Sequence, residues 1–500
     1  MEFLERLARL AETDRVAIRY RDVALTFAQL DAQSDAFAAW LLETFGEDRT
    51  PILLWGHKDL ALPVCMFGAL KAGRAYVPVD TTFPADRVAR ILEQVRPRLA
   101  VNLSGGALEA PVVLDAAALE AILRRPAAKD RRSWVGPSDV AYMLFTSGST
   151  GNPKGVQITA GNIAAFCRGV EPWFRLEGDG GVFLNEISYS FDVSVCPLYY
   201  GLGRGMTLWT VDKDTLGDTK ALFQSLEASG LDIWVSTPSL GEICLQSPRF
   251  RRELLPRVQK FVFCGEVMTC RLGAEMLERF PGAKVYNAYG PTETTVLVTA
   301  VEITPEMCSG RPALPIGYGF SNLECRILDP ETHAPVPDGE SGELAIVGDC
   351  VSPGYFRQPE QTARVFFTAE DGRRGYRTGD LCRRGADGLI DYFGRLDGQV
   401  KLNGFRVELE DVEANLLKVD NIARAAVLPV TVDGTVQGLT AFILLEKPDG
   451  MTSLQRAKAV KQALGALLPS YMVPRKIRCV DRFPLNPNGK IDKKALADLV

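Results

Sequence analysis

Histidine is nearly missing from this chain: His57 and His333 are the only two in 500 residues. Neither lies in a motif that suits a nucleophile's base or a metal ligand. A Ser-His-Asp hydrolase or a histidine-ligated metal centre is therefore disfavoured. The eleven cysteines are an odd number and hold no CxxC pair, which speaks against a zinc site or a disulfide framework and for free, mostly buried thiols. No apolar run approaches the ~18 residues needed to cross a bilayer. The opening segment, MEFLERLARLAETD, mixes charge into an amphipathic helical pattern and lacks a secretory h-region. These absences point to a cytoplasmic protein with no stable membrane insertion. A basic excess is also missing: 57 Lys+Arg stand against 62 Asp+Glu, a net charge of -5, so nucleic acid is not an expected partner. No internal repeat or low-complexity tract is visible, which removes solenoids and disordered scaffolds.

What is present is an ordinary globular composition, 46% apolar and 24% charged, in a chain long enough for about three units at ~150 residues each. The first ~400 residues alternate short apolar runs with helical patterns, the signature of parallel-type sheets covered by helices, an α/β fold. PILLWG reads as a strand, DLALPVCMFGALKAG as an amphipathic helix ending at Gly73, and AYVPVD as the next strand; LDIWVS, KFVFCG and VYNAYGP continue the series. From about 310 to 395, short β segments rich in Gly and Pro form a small β-rich subdomain. The expected division is a large domain over 1–396 and a small, mobile α+β domain over 397–500. In the latter, VELEDVEANLLKV and SLQRAKAVKQALGALL have helical spacing, and a hairpin turns at Asp433-Gly434. This small domain holds 15 Lys+Arg against 12 Asp+Glu, a net +3.

The strongest chemical signal is LFTSGSTGNPKGV, Leu144 to Val156. Small hydroxyl residues and glycines in one loop let backbone N–H groups approach an anion unobstructed. Thr146, Ser147, Ser149 and Thr150 add hydroxyl donors, Gly148 and Gly151 keep the backbone open, and Lys154 adds charge. This is a phosphate-cradling loop in physical terms. It is not a Walker A loop, because Pro153 precedes the lysine and Gly155 follows it.

TSGSTGNPKG resembles the phosphate-loop signature of the adenylate-forming ligases: acyl-CoA synthetases, amino-acid adenylation domains and luciferases. Further motifs follow in the family's order: NAYGPTE, YRTGDL, YFGRLDGQVKLNGFRVE and PLNPNGKID. The resemblance implies ATP and Mg²⁺ as cofactors. ATP would be held by the 146–154 loop, by Asn287, Ala288, Tyr289, Gly290, Pro291 and Thr292, by Asp380 at the ribose hydroxyls, and by Tyr392, Gly394 and Arg395. Glu293 would help hold Mg²⁺. Lys490 would be the catalytic cation that touches ATP and the substrate carboxylate alike. Asp397 would be the hinge, and Lys401 and Gly404 would enter the cleft for the thiolation step after the small domain rotates. Read alone, Tyr289 is equally a core aromatic, Asp380 a turn-capping aspartate, Arg395 a surface ion pair and Lys490 a solvated lysine.

The acyl substrate is narrowed by SYSFDVSV, which supplies Asp192. A carboxylate in an apolar stretch is costly to bury without a cation, and the α-ammonium of an amino acid is such a cation. The plain alternative is an N-cap, since FDVS could open a helix. FVFCGEVM, GHKDLALPVCMFGALKAGRAYVPVD and PADRV look like one branch, the D-alanine–D-alanyl carrier protein ligases. By that resemblance Cys264 and Val296 line the side-chain pocket; otherwise Cys264 is a buried core thiol. The implied activity is formation of D-alanyl-AMP and transfer to the phosphopantetheine thiol of a separate carrier protein, for D-alanylation of teichoic acid, by a monomeric enzyme. Cys196-Pro197 and Met268-Thr269-Cys270 depart from the expected pattern. They leave open L-alanine, serine or proline, loaded onto a natural-product carrier.

Overall fold

Two parallel-type sheets carry most of the chain. The computed structural model describes residues 2–146, 153–176, 180–309, 313–396, 399–402, 404–432, 435–448, 450–484, 491 and 493–497. Two compact units are formed. One holds 1–81, 95–144 and 155–394; the other holds 82–94, 145–154 and 395–500.

In the large unit, the nine-stranded sheet has a parallel centre. Strands Val16–Tyr20, Thr207–Thr210, Val182–Asn185, Ile233–Ser236, Lys260–Phe263 and Lys284–Tyr289 lie side by side, with antiparallel strands at both edges. The seven-stranded sheet has Ile52–Trp55 between Tyr76–Val79 and Leu99–Asn102, all parallel. Central strands are buried on both faces, which is why they read as continuous apolar runs rather than alternating ones. A third, antiparallel sheet within 323–395 forms the β-rich part, led by Ser341–Gly348 paired with Arg374–Arg384.

Helix Ala61–Lys71 corrects the sequence reading: it is not amphipathic but buried all round from Leu62 to Lys71. Its charged end is accommodated because the Lys71 ammonium donates to Asp31 at 2.7 Å and Asp35 at 2.6 Å, all three side chains buried. A buried charge is tolerable only when paired in this way. The helix then stops at Gly73, whose φ of 71° suits glycine.

In the small unit, the antiparallel pair Ile422–Val432 and Thr435–Leu445, extended by Lys476–Cys479, packs with helices Leu409–Leu416 and Ser453–Leu467 around Val407, Leu439 and Leu464. The strands flank the Asp433-Gly434 turn read from sequence, which lies outside the described residues. A second hairpin pairs Gln399–Leu402 with Phe405–Glu408. Its register sets Leu402 opposite Phe405, and Gly404 adopts φ 80° there; Gly404 therefore shapes the turn whatever else passes near it.

Candidate active site

The parallel strands of an open sheet end in loops, and ligands bind outside those carboxyl ends. Strand Lys284–Tyr289 ends in the loop 290–297, which is shut by its own backbone. Thr294 N–H donates to Pro291 O at 2.9 Å, and Val298 N–H returns to Tyr289 O at 2.8 Å. Gly290 is required by this closure, since a Cβ there would stand 2.2 Å from the Val296 carbonyl oxygen. Thr295 and Val296 follow with φ of 62° and 75°, a left-handed conformation that β-branched residues rarely adopt and that costs about 1–3 kcal/mol each. Outside contacts hold it: Thr295 Oγ1 donates to Cys350 O at 2.7 Å and Ser352 N–H to Glu293 O at 2.8 Å.

Side chains along 287–293 have defined partners. The Tyr289 hydroxyl donates to Asp380, both side chains being buried, and burial pushes the Tyr289 phenol well above its ordinary range. The Tyr289 and Tyr392 rings lie 6.3 Å apart at their centroids. Asn287 Nδ2 donates to Pro315 O at 2.8 Å. Thr292 Oγ1 donates to Asp192 Oδ2 at 2.8 Å. Glu293 is 1% exposed, and its Oε1 accepts from the Tyr355 hydroxyl at 2.8 Å. Asp380 sits after Gly379, whose φ is 73°; its backbone N–H donates to Thr378 Oγ1 at 3.0 Å, and the Gly379 N–H to Glu343 at 2.8 Å.

Asp192 comes from another strand of the same sheet, Val182–Asn185, separated from Lys284–Tyr289 by two strands, through the loop 186–191. It is half-buried and opens the short helical turn Asp192–Ser194, which Phe191, not Asp192, caps. The N-cap alternative is thus set aside. A wide π-turn, Cys196–Gly201, follows. Burial raises the Cys196 thiol well above its ordinary range, and neighbouring Cys264 and Asp192 raise it further. The departure noted at Cys196 therefore falls beside the two residues assigned to substrate recognition. Cys264 and Val296 are each 1% exposed and belong to the same apolar cluster as Cys196 and Tyr289. The sequence missed Tyr355 as the partner of Glu293, and only the fold brings these two together.

The large unit thus gathers Asp192, Thr292, Glu293, Tyr289, Asp380, Cys264 and Val296. Asn287, Ala288, Gly290, Pro291, Tyr392 and Gly394 belong to the same unit, and the other assigned residues fall elsewhere. Thr146 ends strand Val140–Thr146, while Lys154 opens strand Lys154–Thr159 and lies 3.6 Å from Glu408 within the small unit. Arg395 ends strand Ile390–Arg395, and Lys401 lies on Gln399–Leu402. Ser147, Gly148, Ser149, Thr150, Gly151, Asp397 and Lys490 lie outside the described residues. Among the described residues no cluster of three or more His, Cys, Asp or Glu could enclose a metal by itself, and no helix is long and apolar enough to cross a membrane.

Comparison with known proteins shows the family and the fold. The AMP-binding enzyme profile matches residues 4–356, and the AMP-binding enzyme C-terminal domain matches 411–490. A D-alanine–D-alanyl carrier protein ligase of Bacillus velezensis is 40% identical over 493 residues, covering 98% of this chain and 97% of that protein. Its counterpart in Listeria welshimeri is 40% identical over 506 residues, covering 99% and 98%. Among solved structures, a Vibrio cholerae adenylation domain in complex with glycyl-adenosine-5'-phosphate matches at TM-score 0.81 and 22% identity, covering 100% of this chain and 96% of that one; at this identity the likeness speaks for the fold. By its two profile matches and these full-length relatives, the chain belongs to the AMP-binding enzyme family, among the D-alanine–D-alanyl carrier protein ligases.

Proposed function

We propose that this enzyme activates D-alanine with ATP as D-alanyl-AMP and then passes the D-alanyl group to the phosphopantetheine thiol of a separate carrier protein, for D-alanylation of teichoic acid. The observation that carries the amino-acid substrate is Asp192, a half-buried carboxylate held by Thr292 and close to Cys196. A carboxylate in that setting selects a cation, and the substrate's ammonium group supplies one. Apolar Cys264 and Val296 leave the neighbouring wall suited to a small methyl group.

In the first step a carboxylate oxygen of D-alanine attacks the α-phosphorus of ATP. The new P–O bond replaces the bond to the bridging oxygen, and pyrophosphate leaves. Two anions meet in this step, so positioned cations and N–H donors dominate catalysis. The 146–154 loop and Lys490 serve that role. Asp380, already an acceptor for the Tyr289 hydroxyl, takes the ribose hydroxyls. Glu293 suits Mg²⁺, an ion that takes one or two carboxylates beside substrate phosphates and keeps several waters; bound there, it would neutralise phosphate charge. In the second step the carrier thiolate attacks the acyl carbon, the C–O bond to AMP breaks, and AMP leaves.

The test is amino-acid-dependent ATP–pyrophosphate exchange with D-alanine, L-alanine, glycine, D- and L-serine and L-proline. A preference for D-alanine supports the reading. A preference for another amino acid keeps the chemistry and moves the specificity. Silence with every amino acid overturns it.

A further inference from the structure

Asp192 can recognise a substrate only if its loop is held still, and within ISYSF one turn closes, Phe191 N–H donating to Ser188 O at 3.0 Å. The remaining fastening comes from the other sheet. Strands Ile52–Trp55 and Tyr76–Val79 of the seven-stranded sheet end beside it, delivering His57 and Lys58 from one and Asp80 from the other. Asp80 is 2% exposed, and its Oδ2 accepts from Ser188 Oγ at 2.5 Å and from His57 Nδ1 at 2.7 Å. His57 Nε2 accepts the backbone N–H of Lys213 at 3.0 Å, so the ring proton lies on Nδ1 and points at Asp80. Ser188 Oγ is also 3.0 Å from Ser190 Oγ, which carries the tie along the loop towards Asp192.

A second tie is made by Lys58, also 2% exposed. Its ammonium donates to the Ile187 carbonyl at 2.5 Å and to Asn185 Oδ1 at 3.0 Å, and stands 4.1 Å over the Tyr189 ring. Asn185 in turn donates to the Tyr189 hydroxyl and to Thr210 Oγ1, both at 3.0 Å. Buried Glu186 favours the Lys58 ammonium, against the burial that disfavours it. Two charged side chains taken out of water, each aimed at consecutive residues of one short loop, are an expensive arrangement for a merely structural tether.

We propose that Asp80 is a positioning residue which, through Ser188 and together with Lys58, fixes where Asp192 stands for the substrate's ammonium group. This rests on the assignment of Asp192 to the amino group. Asp80 touches no reacting atom; it acts through the loop.

The experiment measures the amino-acid KM and the ATP KM separately by ATP–pyrophosphate exchange. Ser188→Ala and Asp80→Ala are compared, each in the natural background and combined with Asp192→Asn. A misplaced recognition group costs up to ~100-fold; the expected rise in amino-acid KM is about 10-fold for Ser188→Ala and more for Asp80→Ala, with the ATP KM unmoved. In the Asp192→Asn background the same substitutions should add little, because the group they position has already lost its charge. Should Asp80→Ala fail to fold, Ser188→Ala carries the test, since it leaves Asp80 paired with His57. Equal rises in both KM values, or a full additive effect on top of Asp192→Asn, overturn the positioning role while leaving the proposed function intact. An unsubstituted enzyme silent with all amino acids overturns both.

Discussion

Two loops at the carboxyl ends of one sheet meet at the Asp192–Thr292 hydrogen bond, and they are built on opposite principles. The loop 290–297 is shaped from within: a glycine where backbones touch, backbone hydrogen bonds that close on themselves, and two β-branched residues held at positive φ. The loop 186–191 closes a single turn of its own, Phe191 N–H to Ser188 O, and is otherwise held from without, by Asp80 and Lys58 arriving from a different sheet. The first kind of loop fails when its backbone is disturbed. The second fails when a distant charge is removed. On the proposed assignment of Asp192, recognition of the substrate depends on both arriving at one place.

The sharpest way to break the comparison is at Gly290. A Cβ there meets the Val296 oxygen at 2.2 Å and the Leu297 Cα at 2.7 Å, and backbone cannot swing aside as a side chain can. Gly290→Ala should destabilise the protein by about 3 kcal/mol or more, read from urea unfolding. No residue of the externally fastened loop should show this sensitivity to a single methyl group.

A smaller effect is expected at Tyr355. Tyr355→Phe removes the hydroxyl that Glu293 accepts and should cost about 1–2 kcal/mol of stability, measured by the same unfolding curves. Because Glu293 is assigned to Mg²⁺, the Mg²⁺ concentration that half-activates exchange should shift as well. A stability loss with no shift in Mg²⁺ dependence would separate Glu293 from the metal.

The externally fastened loop should reveal itself by pH. Burial holds the Lys58 ammonium down to about 7 from an ordinary 10.5, while burial raises Glu186 to about 7 from 4.5. Between pH 4.5 and 7 the folded protein keeps a proton on Glu186 that the unfolded chain has released, so stability falls as pH rises. Between 7 and 10.5 the unfolded chain holds the extra proton, on Lys58, so stability recovers. Subtracting the melting profile of Lys58→Met/Glu186→Gln should expose a shallow minimum near neutrality. A flat difference curve would contradict the buried-pair assignment.

The same contrast explains what could be read from the sequence. The self-shaped loop was legible in part: VYNAYGP reads as a strand with a Gly-Pro break, and the resemblance then assigned its residues, while the tight return appears only in the fold. Strands at Ile52–Trp55, Lys260–Phe263 and Lys284–Tyr289 were legible because burial on both faces leaves unbroken apolar runs. The helix Ala61–Lys71 was read as amphipathic, and the partners that let Lys71 be buried, Asp31 and Asp35, are 40 and 36 residues away. Asp192 was legible as a carboxylate needing company. Its supports were not, since Asp80 lies 108 positions from Ser188 and Lys58 lies 129 from Ile187, and no local pattern encodes such a pairing. His57 was set aside as chemically idle. In the fold it orients Asp80 instead of serving a nucleophile.

The central claim is that Asp192 selects substrates by their ammonium group. It is tested most directly by comparing D-alanine with propionate, the same acid without the amino group, in ATP–pyrophosphate exchange by the natural enzyme and by Asp192→Asn. The natural enzyme should favour D-alanine in kcat/KM by about 100-fold or more, as expected when a partly buried charge pair is made or lost, and Asp192→Asn should collapse that preference with little change toward propionate. An unchanged preference in Asp192→Asn would contradict the claim.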